Sequence, residues 1–220
     1  MARKSRKEKA IEAINRQGIL LVFPVKNQIE PLSLWSELFP KKEMRWEWTD
    51  DGDNSVFMLW ALMKELSAEG EVVYSKWYQN RATFFSRELF KNLLVWGRYN
   101  LNPTLSQSAQ QILDELESNS PLSTKEIKDI TGLKGKLLEP EYSRAIKDLF
   151  QRFLIVGFGE VEDGAFPSAA LGATRLIFED LWLESQDISQ KNAEAYVQKV
   201  LGKHKKCHDF LIRNQKKMKI

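Results

Sequence analysis

The chain has 220 residues, 43% of them hydrophobic and 29% charged, with a formal net charge of +3. That length suits one large domain or two small ones, and that composition excludes a wholly disordered or collagenous chain. The single cysteine, Cys207, excludes a disulfide framework and a Cys-rich zinc site. The longest apolar stretch, Ile19 to Val25, contains Pro24 and falls far short of the ~20 residues a membrane helix needs.

The N-terminal end is basic, and a polar helical stretch follows where a signal peptide carries its apolar core, so a cytoplasmic protein is expected. Lys4 to Gln17 reads as a helix with Ala10, Ile11, Ala13 and Ile14 near one face and Gly18 as its C-terminal cap. Ile19 to Val25 is then a strand or a buried segment. Pro31-Leu32-Ser33-Leu34-Trp35 opens a short helix that ends before Pro40. Arg45 to Trp48 alternates in polarity, and Thr49 to Asn54 is an acidic loop without the spacing of a calcium site. Ser55 to Leu66 reads as a helix with Phe57, Leu59, Trp60, Met63 and Leu66 apolar. Val72 to Tyr78 and Ala82 to Ser86 are β-rich and flank Gln79-Asn80-Arg81, which predicts a hairpin. Ser86 caps a further helix running to Val95. Six of the seven tryptophans precede residue 97. They fall inside amphipathic patterns, which favours packing over a base-stacking platform.

Gly97 to Thr104 reads as a linker. Ser106 to Glu117 is an amphipathic helix. Ser123-Thr124-Lys125-Glu126 has the form of a capping box, opening a short helix with Ile127 and Ile130 apolar. Gly132 to Leu138 is a turn, and Pro140 suits the start of the next helix. Tyr142, Ala145, Ile146, Leu149, Phe150 and Phe153 form that helix's buried stripe. Leu154 to Phe158 reads as a strand, Gly159 to Pro167 as a polar loop and Leu171 to Phe178 as a returning strand. This order of elements is that of a winged helix-turn-helix. The expected fold class is α+β, mostly α, made of winged helix-turn-helix units with short β-hairpins. The expected divisions are an N-terminal Trp-rich α/β region over 1–100, itself open to a winged-helix-like form, a winged-helix domain over 104–185, and a C-terminal helix and basic tail over 186–220.

The charge is unevenly spread. Residues 1–17 carry +4 and residues 199–220 carry +7, around a body of −8. Basic ends suit a polyanion, because each phosphate contact releases a counterion; they also suit a merely solvated terminus. For nucleic acid, the second helix supplies Lys125 and Lys128, the turn after it Lys134 and Lys136, and the third helix Arg144, Lys147 and Arg152. A helix so placed enters the major groove. Glu160, Glu162 and Asp163 on the wing oppose phosphate, where a minor-groove wing presents Arg or Lys. His204, Cys207 and His208 are too few for a closed metal site, and Walker A and Rossmann glycine patterns are absent. No cofactor and no metal are expected. In the tail, Ser189 to Leu201 is expected to be a helix. Phe210, Leu211 and Ile212 either dock on the body or stay loose, and deletion of 203–220 is expected to leave the melting temperature nearly unchanged.

Three blocks carry a family resemblance: Gly18 to Phe39 (GILLVFPV followed by PLSLWSELF), Val72 to Leu89 (VVYSKWYQNRATFFSREL) and Leu105 to Leu133 (LSQSAQQILDELESNSPLSTKEIKDITGL). In these the chain resembles the AlkZ-related bacterial proteins, short relatives of the AlkZ/YcaQ-type DNA glycosylases. The resemblance implies winged-helix units around DNA. In the full glycosylases a Gln-x-Asp or Gln-x-Gln motif positions or activates the attacking water. Here Phe23 and Val25 stand at those positions, so the resemblance carries over the fold and the DNA association but not the catalytic pair. Three readings follow: a DNA-binding protein without glycosylase chemistry, a glycosylase acting on alkylated or crosslinked bases through Glu30 or Glu47, and a protein-interaction module.

Overall fold

The structure, a computed structural model, describes residues 4–46, 54–161 and 168–218. The first helix, α1 (Arg6–Gln17), starts at a capping box in which Ser5 and Glu8 satisfy each other's backbone N–H groups. It ends at Gly18, whose φ of 79° takes the chain directly into strand β1 (Ile19–Leu21). After an irregular segment, Ser33 caps α2 (Leu34–Leu38). Then follow α3 (Ser55–Glu69) and the short strands β2 (Val73–Ser75) and β3 (Thr83–Phe85). The turn between β2 and β3 holds Gln79 and Asn80 at positive φ. Helix α4 (Arg87–Asn100), capped by Ser86, runs beyond the expected stop at Val95 and takes in the start of the expected linker. Its continuation has a packing reason: Trp96 is buried, and a Cβ at Gly97 would touch Phe153 at 3.3 Å.

The second half repeats the sequence of elements. Helix α5 (Gln107–Asn119) leads to strand β4 (Leu122–Ser123). Ser123 and Glu126 form the expected capping box at α6 (Thr124–Ile130). Helix α7 (Glu139–Gln151) is followed by β5 (Ile155–Val161) and β6 (Ser168–Ala173). The returning strand was expected to run to Phe178, but it ends at Ala173. The Thr174 hydroxyl donates to the Phe153 carbonyl, and α8 (Thr174–Ile177) begins there. Helices α9 (Glu179–Glu184), α10 (Gln190–Leu201, capped by Ser189) and α11 (Lys205–Met218) complete the chain.

All six strands join one antiparallel sheet in the order β1-β3-β2-β5-β6-β4. Each half contributes the same internal order: first strand outermost, third beside it, second at the centre. The halves meet where Tyr74 of β2 pairs with Gly157 of β5. The tripeptide Pro-Leu-Ser recurs at 31–33 and 121–123, each time placing the serine that caps the second helix. The fold is thus α+β, mostly α, built from two units with one element plan.

Alternation along the strands sorts side chains into three cores. Leu20, Tyr74 and Phe84 pack with α1, α2 and α3 in the first unit. Ile155, Leu171 and Ala173 pack with α5, α6 and α7 in the second. The intervening residues Ile19, Leu21, Val73, Phe85 and Val156 face a third core, formed with α4, α9, α10 and α11 and centred on Trp77, Phe90 and Phe153. Of the tryptophans, Trp35, Trp77 and Trp96 are buried, as packing requires. Trp46 and Trp60 are exposed, and Trp48 lies outside the described residues. Helix α3 departs from its expected stripe. Leu59, Leu62 and Leu66 turn inward, whereas Phe57 and Trp60 face solvent, because the inward positions follow the 59-62-66 spacing.

Candidate functional site

Helices α6 and α7 and the turn between them carry most of the expected polyanion contacts. The inward face of α7 is Tyr142, Ala145, Leu149 and Phe150, which leaves Ser143, Arg144 and Lys147 on the outward face. Arg144 and Lys147 are exposed and make no ion pair among the described residues, and the same holds for Lys136 in the turn. Lys125, Lys128 and Lys134 border one shallow depression together with Thr124 and Asp129. None of the three is free. Lys128 bonds Glu139 at 2.7 Å and lies 4.6 Å from the Tyr142 ring centre, and Lys134 pairs with Asp129 at 2.6 Å.

Arg152 is built into the fold instead. Its Nε meets Asp148 at 2.9 Å, its Nη1 donates to the Asn102 carbonyl, and only 11% of its side chain is exposed. It fastens the end of α7 to the segment that follows α4. The seven expected residues therefore divide into an outward group of Lys136, Arg144 and Lys147, an engaged group of Lys125, Lys128 and Lys134 around the depression, and one structural arginine.

The acidic segment expected as a wing has an intramolecular partner at the end of β5. Glu160 lies 2.5 Å from Lys64 of α3, and Gly159 packs on Ala68 of the same helix. The described end of β5 thus faces the first unit. Glu162 and Asp163 lie outside the described residues, as do Glu47 and the acidic loop of residues 49–53.

The segment aligned with the glycosylase motif is rigidly held and apolar. The Val22 N–H donates to Ala82, and the Val22 carbonyl accepts from Trp35. The Asn27 side chain clamps the Met44 backbone, donating to its carbonyl at 2.9 Å and accepting from its N–H at 3.0 Å. Phe23 packs on Trp46 with ring centres 4.9 Å apart, and Val25 lies against the third core. Neither side chain can hydrogen-bond a water. Glu30 is half-buried. Burial first, and the Glu30 carboxylate second, push the Cys207 thiol up to about 12.

Of the two alternatives expected for the tail, the structure shows the docked one. Cys207, Phe210, Leu211 and Asn214 of α11 are buried, with Phe210 at 5.0 Å from the Trp77 ring and 4.9 Å from Tyr78. His204 bonds the Gln17 carbonyl and His208 the Gln198 side chain, so the two histidines are directed apart. Among the described residues no group of three or more His, Cys, Asp or Glu side chains gathers as a metal site, and no helix is long and apolar enough to cross a membrane. Docking of α11 also brings Lys206 and Arg213 beside Lys26 and Gln79. Sequence reasoning missed that grouping, whose only signal was the excess of charge at the C-terminal end.

No curated protein matches the chain. A family model described as AlkZ related matches residues 5–210, which takes in both three-stranded units, α4 and most of the helical third layer. The chain belongs to the AlkZ-related family, and so is related to AlkZ-type DNA glycosylases.

Proposed function

We propose that this protein is a cytoplasmic binder of duplex DNA that docks the second unit as a winged helix and lacks glycosylase chemistry. The observation that carries the reading is the outward face of α7, where Arg144 and Lys147 stand one turn apart without ion-pair partners among the described residues. A helix of that kind, supported across a turn by a shorter capped helix, enters the major groove, and its cations take phosphates or guanine edges. Lys136 extends the contact along the backbone, while Lys125, Lys128 and Lys134 must first exchange their present partners. The pairing of Glu160 with Lys64 supports docking by the helix rather than by the wing.

The test is duplex binding by fluorescence anisotropy across a salt series. Affinity is expected to fall steeply with salt, and the double reversal Arg144→Glu/Lys147→Glu to weaken it at least tenfold. Binding that is flat in salt, or that survives the reversal, overturns the reading. Single-turnover assays on methylated or crosslinked duplex are expected to stay at background, given Phe23 and Val25. Turnover abolished by Glu30→Gln would establish a glycosylase instead. A protein-docking reading has one observation in its favour: α3, the counterpart of α7 in the first unit, exposes Phe57 and Trp60.

A further inference from the structure

Helix α11 has two unlike faces. Cys207, Phe210, Leu211 and Asn214 turn inward, so Lys206, Asp209 and Arg213, at positions i, i+3 and i+7, share the other side. That side borders a cleft of about 400 Å³. The opposite wall comes from two places far away in the chain: Lys26 and Gln28 between β1 and α2, and Tyr78 and Gln79 in the turn between β2 and β3. Lys26 and Gln79 sit at φ of 52° and 51°. Both belong to tight turns with fixed backbones, and Phe210 beneath Tyr78 fixes the floor.

The charge of this cleft is unbalanced. Lys206 Nζ donates to Gln28 Oε1 at 2.6 Å and to the Glu30 carbonyl at 2.8 Å, both neutral acceptors. An ammonium has three donors, so it is held in place with its charge intact and one N–H to spare. Arg213 Nε donates only to the Asp209 backbone carbonyl, one turn back in its own helix. Lys26, Lys206 and Arg213 make no ion pair among the described residues, and Asp209 is the one carboxylate lining the cleft. Arg81 adds a fourth cation close by: it and Arg213 both act on the Tyr78 hydroxyl, opposing the upward push of burial. Three cations, two side-chain amides and a phenol thus surround a space of small-ligand size.

We infer that this cleft is a binding site for a phosphate group, carried by a nucleic-acid backbone or by a free nucleotide. Lys206 and Arg213 would hold the phosphate oxygens from the helix side and Lys26 from the loop side. Gln79 and Tyr78 would donate to any oxygen left over. The inference deepens the DNA-binding reading by adding a contact on the first unit. Its residues differ from those of α7, so the two can fail separately.

The experiment uses the full-length protein and two variants. Lys26→Gln/Arg213→Gln removes two exposed cations and keeps polar, hydrogen-bonding side chains, and Asp209→Asn removes the carboxylate. Adenosine monophosphate, with adenosine as the uncharged control, is titrated by calorimetry, and duplex DNA by anisotropy across a salt series. If a free nucleotide is the ligand, adenosine monophosphate binds and adenosine does not. The double variant then loses at least tenfold in affinity, and Asp209→Asn gains about two- to threefold. If the ligand is a backbone phosphate, the double variant instead lowers duplex affinity and reduces the salt slope by about 1, and Asp209→Asn again strengthens binding. A misfolded variant cannot produce that gain. Wild-type behaviour of both variants toward duplex, together with no uptake of adenosine monophosphate by the wild type, overturns the inference. The α7 reading would remain open to its own test, the reversal at Arg144 and Lys147.

Discussion

At the scale of single residues, two buried positions have measurable consequences, and the first joins the halves of the molecule. Gly157 lies opposite Tyr74 at the centre of the sheet, and a Cβ there would stand 2.3 Å from Tyr74 Cδ1. Tyr74 is walled in by Phe84 at 5.4 Å and cannot move aside without disturbing the first core. Gly157→Ala is therefore expected to destabilise the protein by ~1–3 kcal/mol through overpacking, read as a lower denaturant midpoint. Cys207 is the second position. A buried thiol held neutral is inert, so it is expected to react with thiol reagents only as the protein unfolds. Its folded pKa of about 12 exceeds the ordinary value of 9.0. The unfolded chain loses this proton first, so the stability linked to it is complete below pH 9 and declines as pH rises toward 12. Tyr74, raised by burial from 10.0 to about 12, adds a loss that begins one unit higher. In Cys207→Ala the decline in stability between pH 9 and pH 10 should be shallower than in the wild type, as measured by denaturant titration at each pH.

At the scale of elements, α11 shows how three buried apolar residues in a basic stretch can decide a structure. Its buried positions recur at helical spacing, and the five lysines and one arginine of 203–217 lie off that stripe. Phe210 is wedged between Trp77 and Tyr78, so Phe210→Ala should cost ~3–5 kcal/mol by the cavity it leaves. Deletion of 203–220, expected from the sequence to be harmless to the melting temperature, should lower it markedly. It removes Cys207, Phe210 and Leu211 from the third core and uncovers Trp77. A deletion variant that melts with the wild type would show that α11 contributes nothing to that core.

At the scale of the whole molecule, two units of one element plan share a continuous sheet and a common layer of helices. Helix α4 belongs to the first unit in sequence, yet it packs on α9 and α10 and on Phe153 of the second. Arg87 pairs with Asp180 and Lys91 with Glu184, which ties the same layers at the surface. Neither unit can expose its core without stripping the third, so a single unfolding transition is expected. Far-ultraviolet circular dichroism and tryptophan fluorescence should report coincident midpoints. Separate midpoints would mean that the halves unfold independently.

The local parts of this architecture were legible in the sequence by itself, because they follow from neighbouring residues. The Ser123–Glu126 box, the Ser86 and Ser189 caps, the hairpin around Gln79 to Arg81 and the buried stripe of α7 each involve side chains within a few turns of one another. The apolar pair at Phe23 and Val25 was likewise plain from the residues aligned there. What required the tertiary structure was every decision made by a distant partner. Trp60 and Phe57 looked like core residues until the packing of α3 turned Leu59, Leu62 and Leu66 inward instead. Arg152 looked like an outward cation until Asp148 and the Asn102 carbonyl engaged it. Glu160 looked opposed to a polyanion, and Lys64, nearly a hundred residues earlier, is its partner. The cleft of Lys26, Lys206 and Arg213 joins positions almost two hundred residues apart. Periodicity records which face of a helix is apolar, but the element that covers that face, and the charges gathered beside it, are set by burial across the whole chain.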